Sequence, residues 1–170
     1  MSPIVSTPRG PDAAPRPTVF ERARIVDPAR GLDAVGSVIV AEGKILAAGP
    51  EVLNKGAPEG WEIVDATGKV IVPGLVDMRV FLGEPGHEHR ETFASASRAA
   101  AAGGVTTIVT MPDTDPVIDD PALVDFVLRR AREQSDVRVH PMAALTKGQE
   151  GKETTEIGLL KEAEIGRAHV

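Results

Sequence analysis

The pattern of apolar and polar positions changes near residue 73 and divides the chain into two regions. Before that point, short alternating apolar runs are separated by turns rich in Gly and Pro, which predicts β-strands. The clearest pair lies in SVIVAEGKILAAG, where Glu42-Gly43 supplies a two-residue hairpin turn. The run EIVDATGKVIVPG repeats this arrangement with a turn at its central Thr-Gly pair. We therefore predict a small β module over residues 18–72, built from short antiparallel strands only.

After residue 73, predicted strands alternate with predicted helices. The strands are residues 78–82, VTTIVTMP and DVRVHPMAAL; the helices lie in ETFASASRAAAAGG, DDPALVDFVLRRAREQ and TTEIGLLKEA. Asp120 and Pro121 are typical of a helix N-cap and first position, and Gly103-Gly104 is typical of a helix end. This alternation predicts α/β architecture with a parallel sheet. The pattern alone fits either a (β/α) barrel or an open doubly wound sheet, although no G-x-G-x-x-G follows the first strand.

Composition narrows the class of protein. Apolar residues make up 42% of the chain, which is enough for a core, but aromatic residues make up only 3%. Cysteine is absent, which excludes disulfides, thiolate zinc sites and thiol nucleophiles. The net charge of −6 argues against nucleic acid as a partner, and no apolar run approaches the roughly 20 residues of a membrane span. We expect a cytoplasmic protein.

The two ends of the chain do not look like parts of the fold. Residues 1–17 are rich in proline and lack the apolar core of a signal peptide, so we predict a disordered lead-in. The last seven residues, EIGRAHV, match the in-frame translation of a common sequencing-library adapter. We interpret residues 164–170 as such an artefact, in which case native sequence ends near Ala163 and His169 has no functional meaning. The alternative is a genuine helix end.

Long stretches after residue 70 resemble the dihydroorotases, within the cyclic amidohydrolases. The chain has PGLVDMRVFLGEPG where that family has Pro-Gly-Leu-Val-Asp-Met-His-Val-His-Leu-Arg-Glu-Pro-Gly, and EHRETFASASRAAAAGGVTTIVTMPDTDPVID and AALTKGQEGKE continue the similarity. The resemblance implies a small β-sandwich-like module followed by the first three or so βα units of an amidohydrolase (β/α)8 TIM barrel over residues 73–163. Because a complete barrel needs roughly 250 residues, it also implies a truncated fragment.

The departures from the family run fall on the positions that carry its chemistry. The resemblance implies that the His-x-His pair, which supplies two zinc ligands in active members, falls on Arg79 and Phe81. Arginine stays protonated and phenylalanine has no donor atom, so neither binds a dication. The family arginine that holds the substrate carboxylate falls on Gly83, and a family asparagine falls on Asp113. We therefore predict no catalytic residue, no metal ligand, no cofactor and no retained substrate contact in this chain.

Three functions remain open. The resemblance implies a non-catalytic dihydroorotase homologue that acts in pyrimidine biosynthesis as a structural partner of aspartate transcarbamoylase, and that is oligomeric when full length. The second possibility is an active zinc-dependent dihydroorotase, or a related hydrolase of the hydantoinase or allantoinase type. The third is a protein that binds a small molecule in a degenerate pocket without turnover.

Histidines outside the family positions have two interpretations each. His87 and His89 form another His-x-His, either a displaced metal pair or part of a solvated loop, and we favour the loop. His140 lies in the third predicted strand. It either points into a barrel mouth or is a core histidine with its hydrogen bonds satisfied, and we favour the core.

Charged residues also cluster after the predicted strands. Four aspartates that follow the second strand could bind a hard cation, but turn chemistry and helix capping explain them more simply. These aspartates are Asp113, Asp115, Asp119 and Asp120. Lys147 follows the third strand in a polar loop, where a functional lysine and an ordinary surface lysine look alike.

Overall fold

The fold is described by a computed structural model that covers residues 16–165 and the backbone of residues 167–169. The chain divides into two compact units, the first ending at Pro73 and the second beginning at Gly74. No helix in the described ranges is long and apolar enough to cross a membrane.

The first unit is a five-stranded sheet. Its strands are β1 (Thr18–Asp27), β2 (Leu32–Ala41), β3 (Lys44–Gly49), β4 (Glu62–Asp65) and β5 (Val70–Ile71). They lie in the order β3-β2-β1-β4, with β5 also paired to β1. The predicted hairpin turn is confirmed, because Glu42 and Gly43 join β2 to β3 with positive φ angles of 52° and 70°. A single sheet is described here, so the predicted sandwich stays a prediction.

The prediction of antiparallel strands only is wrong for the second half of this unit. Both β4 and β5 run parallel to β1 and pair with it, one after the other. The turn between them is present, since Lys69 N donates to the Ala66 carbonyl at 2.9 Å. This turn does not reverse the chain into a hairpin, because β4 and β5 both continue along β1. Turn residues indicate where a strand ends but not which strand it pairs with next.

The second unit has a parallel sheet with helices between its strands, as predicted. The strands are β6 (Leu75–Val80), β7 (Val105–Thr110), β8 (Arg138–Ala144) and β9 (Arg167–His169), in the order β6-β7-β8-β9. The helices are α1 (Phe93–Ala102), α2 (Pro121–Gln134) and α3 (Ile157–Glu162). The β9 strand falls in the segment that we interpret as an artefact, and the origin of that segment stays a prediction.

The first strand of this unit lies earlier than residues 78–82, where the sequence placed it. It spans Leu75–Val80, and its last bond to β7 runs from Met111 N to the Val80 carbonyl at 2.9 Å. Leu82 has left the strand and is only 1% exposed, packed in the core with Phe93. The strand therefore ends before Leu82, whose side chain packs against the helices. A run of apolar residues does not by itself show where such a strand ends.

Local signals at the helix ends are confirmed. Asp120 caps α2 by accepting a hydrogen bond from Ala122 N at 2.7 Å, and Pro121 occupies the first turn, where no partner for its missing N–H is needed. Helix α1 begins at Thr92 with a capping box shared with Ser95. Each cap fixes where a helix starts and so where the preceding loop must end.

The core of the second unit lies between the sheet and its helices. Apolar side chains on one face of the strands pack against the buried face of α2 and the start of α1. Among the described residues, a smaller buried cluster on the opposite face of the sheet is formed by Val109, Met111 and Met142. The buried members of the main core are Leu82, Phe93, Ala96, Ile108, Ile118, Val124, Val127, Ala131, Val139, Ala143 and Leu160.

Candidate functional site

The carboxyl ends of β6, β7 and β8 meet at one edge of the parallel sheet, where α/β proteins usually place their sites. The loops that follow these strands are connected there. Asp115 N donates to the Pro85 carbonyl at 3.2 Å, and Gly148 N donates to Asp119 Oδ2 at 2.8 Å. Three loops that are distant in sequence therefore form one continuous edge.

Two residues at the end of β6 stand where the resemblance places metal ligands. Arg79 is exposed, and its backbone N donates to the Asp77 carboxylate at 3.0 Å. Phe81 is half-buried, and the guanidinium carbon of Arg90 lies 4.5 Å from its ring centroid. Phe81 also lines a cavity of about 210 Å³ together with Asp77 and Glu91. An aromatic ring and two guanidinium groups therefore define the chemistry of this strand end.

These side chains do not fit zinc. Zinc is bound in proteins by thiolate, imidazole or carboxylate donors, whereas Arg79 brings a permanent positive charge and Phe81 brings no lone pair. Within residues 16–165, no group of three or more His, Asp or Glu side chains could hold a metal ion. We therefore derive no chemical step through a metal at this position.

Gly83 stands in a position where no side chain can be added without moving backbone. The residue is buried, and an ideal Cβ built on it lies 2.2 Å from the His87 carbonyl oxygen and 2.9 Å from that of Glu91. The loop after β6 folds back onto its own start, which brings these carbonyls over the glycine. An arginine at this position, as in the family run, needs a different loop conformation.

We expect Gly83→Ala to lower the free energy of unfolding of the full-length protein by about 1–3 kcal/mol, the usual cost of forcing an atom into packed surroundings. The physical cause is the overlap with two backbone carbonyls, which cannot rotate away. Urea denaturation followed by circular dichroism measures the change. Gly158→Ala is the matched control, since a Cβ at Gly158 meets nothing within 4 Å. Equal stability of the two variants would contradict the packing at Gly83.

A buried carboxylate that the sequence analysis missed anchors the same loop. Glu84 is only 3% exposed, and Arg130 on α2 donates to its Oε1 from Nε at 2.8 Å and from Nη2 at 2.6 Å. Its other oxygen accepts a hydrogen bond from Phe93 N at 3.2 Å, at the start of α1. Glu84 thus ties the loop to two helices. Its partner lies 46 residues away, so no local pattern marks it.

The four aspartates after β7 have different structural roles. Asp120 caps α2, which confirms the predicted capping role, whereas Asp119 accepts from Gly148 N and so joins its loop to the loop after β8. Asp115 contributes its backbone N to the contact with the loop after β6, while its side chain is exposed. Asp113 is exposed and has no hydrogen bond or ion pair within the described chain. Its carboxylate therefore places an unpaired negative charge at this edge of the sheet.

His87 and His89 lie in the loop after β6, as predicted. Their rings are 6.1 Å apart in an edge-to-face arrangement, and Glu88 lies between them in sequence. Hydrogen bonds from its own backbone amide and from Gly86 N hold the pKa of Glu88 below its usual value. His89 is exposed and His87 is half-buried. The two histidines therefore belong to a largely solvated turn.

His140 is not the core histidine that we favoured. It is exposed, whereas its neighbour Val139 is buried in the main core. Because side chains alternate along a strand, Val139 faces the helices and His140 faces the other side of the sheet. In the described part of the chain, the buried cluster on this face is the small one that includes Val109 and Met142, and the side chain of His140 remains exposed.

Lys147 is an ordinary charged residue of the loop after β8. It is exposed and donates to Glu153, whose hydrogen bond and negative charge raise the pKa of Lys147. A raised pKa keeps the amine protonated, which is the opposite of what a general base or nucleophile requires. The lysine therefore stabilises its own loop.

Comparisons with known proteins agree with this fold. Residues 68–166 match the family described as Dihydro-orotase-like. The dihydroorotase of Citrifermentans bemidjiense is 43% identical over 145 residues, which is 85% of this chain and 34% of that protein. The dihydroorotase of Syntrophobacter fumaroxidans is 46% identical over 144 residues, 84% of this chain and 33% of that protein. The chain thus spans about a third of the length of the curated relatives it matches.

A solved structure supports the same architecture. The L-hydantoinase (dihydropyrimidinase) from Arthrobacter aurescens superposes with a TM-score of 0.76 and 23% sequence identity, over 90% of this chain and 32% of that chain. At this identity the likeness concerns the fold. Together with the family match over most of the second unit and relatives above 40% identity, it leads to one conclusion. This chain belongs to the dihydro-orotase-like family.

Proposed function

We propose that this chain is part of a non-catalytic dihydroorotase-like protein that serves pyrimidine biosynthesis as a structural partner of aspartate transcarbamoylase. The observation that carries the proposal is the end of β6, where Arg79 and Phe81 stand at the positions in which the resemblance places two imidazoles. A guanidinium group stacks on the ring of Phe81, and the neighbouring Gly83 has no room for a side chain. The scaffold around these positions keeps the family pattern.

The proposed architecture is the beginning of an eight-unit (β/α) barrel preceded by a β-sandwich module. The parallel strands β6, β7 and β8 with their intervening helices support the barrel, and the short coverage of each relative supports a larger whole. Leu75, Val76 and Met78 on β6 are each more than half exposed. Exposed apolar residues on a strand are suited to being covered by further structure.

The proposed partner is a protein because the other classes of partner are disfavoured. A net charge of −6 does not suit a phosphate backbone. A carboxylate at Asp113 repels an anionic metabolite at the sheet edge. A scaffold that keeps its fold but not its catalytic groups still presents a surface. We propose that this surface is used in a cytoplasmic assembly with the transcarbamoylase.

The test is co-expression of the full-length gene product with aspartate transcarbamoylase, followed by size-exclusion chromatography. We expect the two proteins to elute together. We also expect the Arg79→Ala variant to elute in the same complex, because the proposal assigns no partner contact to this side chain. Transcarbamoylase expressed alone is the control for assembly and activity. Two separate peaks, with a transcarbamoylase that is fully active alone, would overturn the proposal and favour small-molecule binding.

The second candidate is an active zinc-dependent dihydroorotase or related cyclic-amide hydrolase. The observation in its favour is the identity of 43% and 46% to two proteins named dihydroorotase. Against it stand Arg79 and Phe81, which supply no metal donor. Metal content and turnover separate the two candidates.

A further inference from the structure

The loop that follows β6 is fastened to its surroundings at three points. Near its start, Glu84 binds Arg130 and Phe93 N. Further along, the Pro85 carbonyl accepts a hydrogen bond from Asp115 N. At its far end, the Arg90 guanidinium lies over the Phe81 ring. Only the third contact falls on a position where the resemblance places a metal ligand.

We propose that the stack of Arg90 on Phe81 replaces the metal ion as the tie between the end of β6 and the loop after it. This inference rests on the proposed non-catalytic function, because it assumes that position 81 is not a ligand. In a metal site, the ion would fix this strand end by bonding to its side chains. In this chain, the Phe81 ring instead holds the loop through its contact with the guanidinium cation of Arg90.

The geometry suits this role. A guanidinium carbon 4.5 Å from the centroid of a phenyl ring is within the range of a cation–π interaction. Phe81 is half-buried, so the ring is held by its surroundings, while Arg90 is exposed and reaches over it. The guanidinium also excludes a second cation from the ring face, since like charges repel at this distance.

The effect of the stack is local. Two backbone hydrogen bonds lie within the loop itself, from His87 N to the Gly83 carbonyl and from Arg90 N to the His87 carbonyl. Loss of the stack releases the far end of the loop, while Glu84 still holds its start through Arg130. The exchange rates of the His87 and Arg90 amide protons therefore report whether the Arg90–Phe81 contact holds the loop.

Hydrogen exchange of the full-length protein, measured by mass spectrometry or NMR, tests the proposal. We expect Arg90→Gln and Phe81→Leu each to speed exchange at the amides of residues 87–90 by about two- to fivefold, as loss of an exposed cation–π contact predicts. The double variant should exchange no faster than either single variant, because both remove the same contact. Phe81→Trp, which keeps an aromatic face, should preserve protection. Arg98→Gln, an exposed arginine on α1, is the control.

Zinc supplies the second arm of the test. We expect the unsubstituted protein to show the same exchange with added zinc and with chelator. Arg90→Gln behaving like Arg98→Gln would overturn the proposal, and so would slower exchange in the presence of zinc. Neither exchange measurement involves transcarbamoylase. A negative result for the Arg90–Phe81 contact can therefore be distinguished from a negative result for the proposed assembly.

Discussion

The full-length protein is expected to hold no stoichiometric zinc and to show no dihydroorotase turnover, and the double variant Arg79→His/Phe81→His is expected not to restore turnover. Two imidazoles supply only part of a site. Position 83 still lacks the guanidinium clamp, because the His87 and Glu91 carbonyls occupy the space where a side chain would begin. Loss of a clamp that positions the substrate can cost about 100-fold in rate.

A second deficit in the double variant is electrostatic. Asp113 is an exposed carboxylate with no partner in the described part of the chain, and the resemblance places an amide there. An anion at this position opposes an anionic substrate such as dihydroorotate. Elemental analysis and a turnover assay on the parent and double variant measure both quantities, with a zinc-dependent dihydroorotase as the positive control. About one zinc per parent chain together with turnover, or clear activity in the double variant, would contradict the predicted lack of catalysis.

Features that were predictable from sequence depend on neighbouring residues. Asp120 followed by Pro121 marks the start of α2 because capping involves the next two residues only. Glu42-Gly43 marks a hairpin because both residues must take positive φ within one turn. The alternation of strands and helices predicts a parallel sheet because a crossover helix leaves little alternative.

Features that were not predictable depend on residues far apart in the chain. The parallel pairing of β4 with β1 is chosen by the sheet as a whole, and Thr67-Gly68 does not encode it. The closed space at Gly83 arises because a later part of the loop returns over it. The exposure of His140 could have been inferred from alternation with Val139, but only once the helix-facing side of β8 was known.

The same distinction explains how the candidate site was found. Arg79 and Phe81 were located by resemblance to an ordered family motif, and the structure adds what surrounds them. Sequence alone does not show that Arg90 reaches back over Phe81, because eight residues of loop lie between them. The prediction that no metal donor stands at residues 79 and 81 was therefore available from sequence, whereas the contact between Arg90 and Phe81 was not.

Removal of the buried carboxylate Glu84 is expected to lower the free energy of unfolding substantially. Glu84→Ala leaves the Arg130 guanidinium without the carboxylate oxygen that accepts two of its hydrogen bonds, and leaves Phe93 N without a partner. Breaking a buried ion pair by removing one partner typically costs about 3–5 kcal/mol. We expect about 3 kcal/mol, the low end of that range, because the Arg130 side chain is 34% exposed and can recover water.

A matched pair in the first unit separates burial from charge pairing. Arg24 donates two hydrogen bonds of 2.7 Å to Asp33, one to each carboxylate oxygen, whereas Arg130 donates both of its bonds to one oxygen of Glu84. Both side chains of the Arg24–Asp33 pair are more than half exposed. Asp33→Ala should therefore change the midpoint of urea denaturation far less than Glu84→Ala, since an exposed pair is screened by water. Glu84→Gln should fall between them, because an amide can still accept from Phe93 N. Equal shifts for Glu84→Ala and Asp33→Ala would mean that Glu84 is not held in a closed interior, and that the loop after β6 is free to open away from α2.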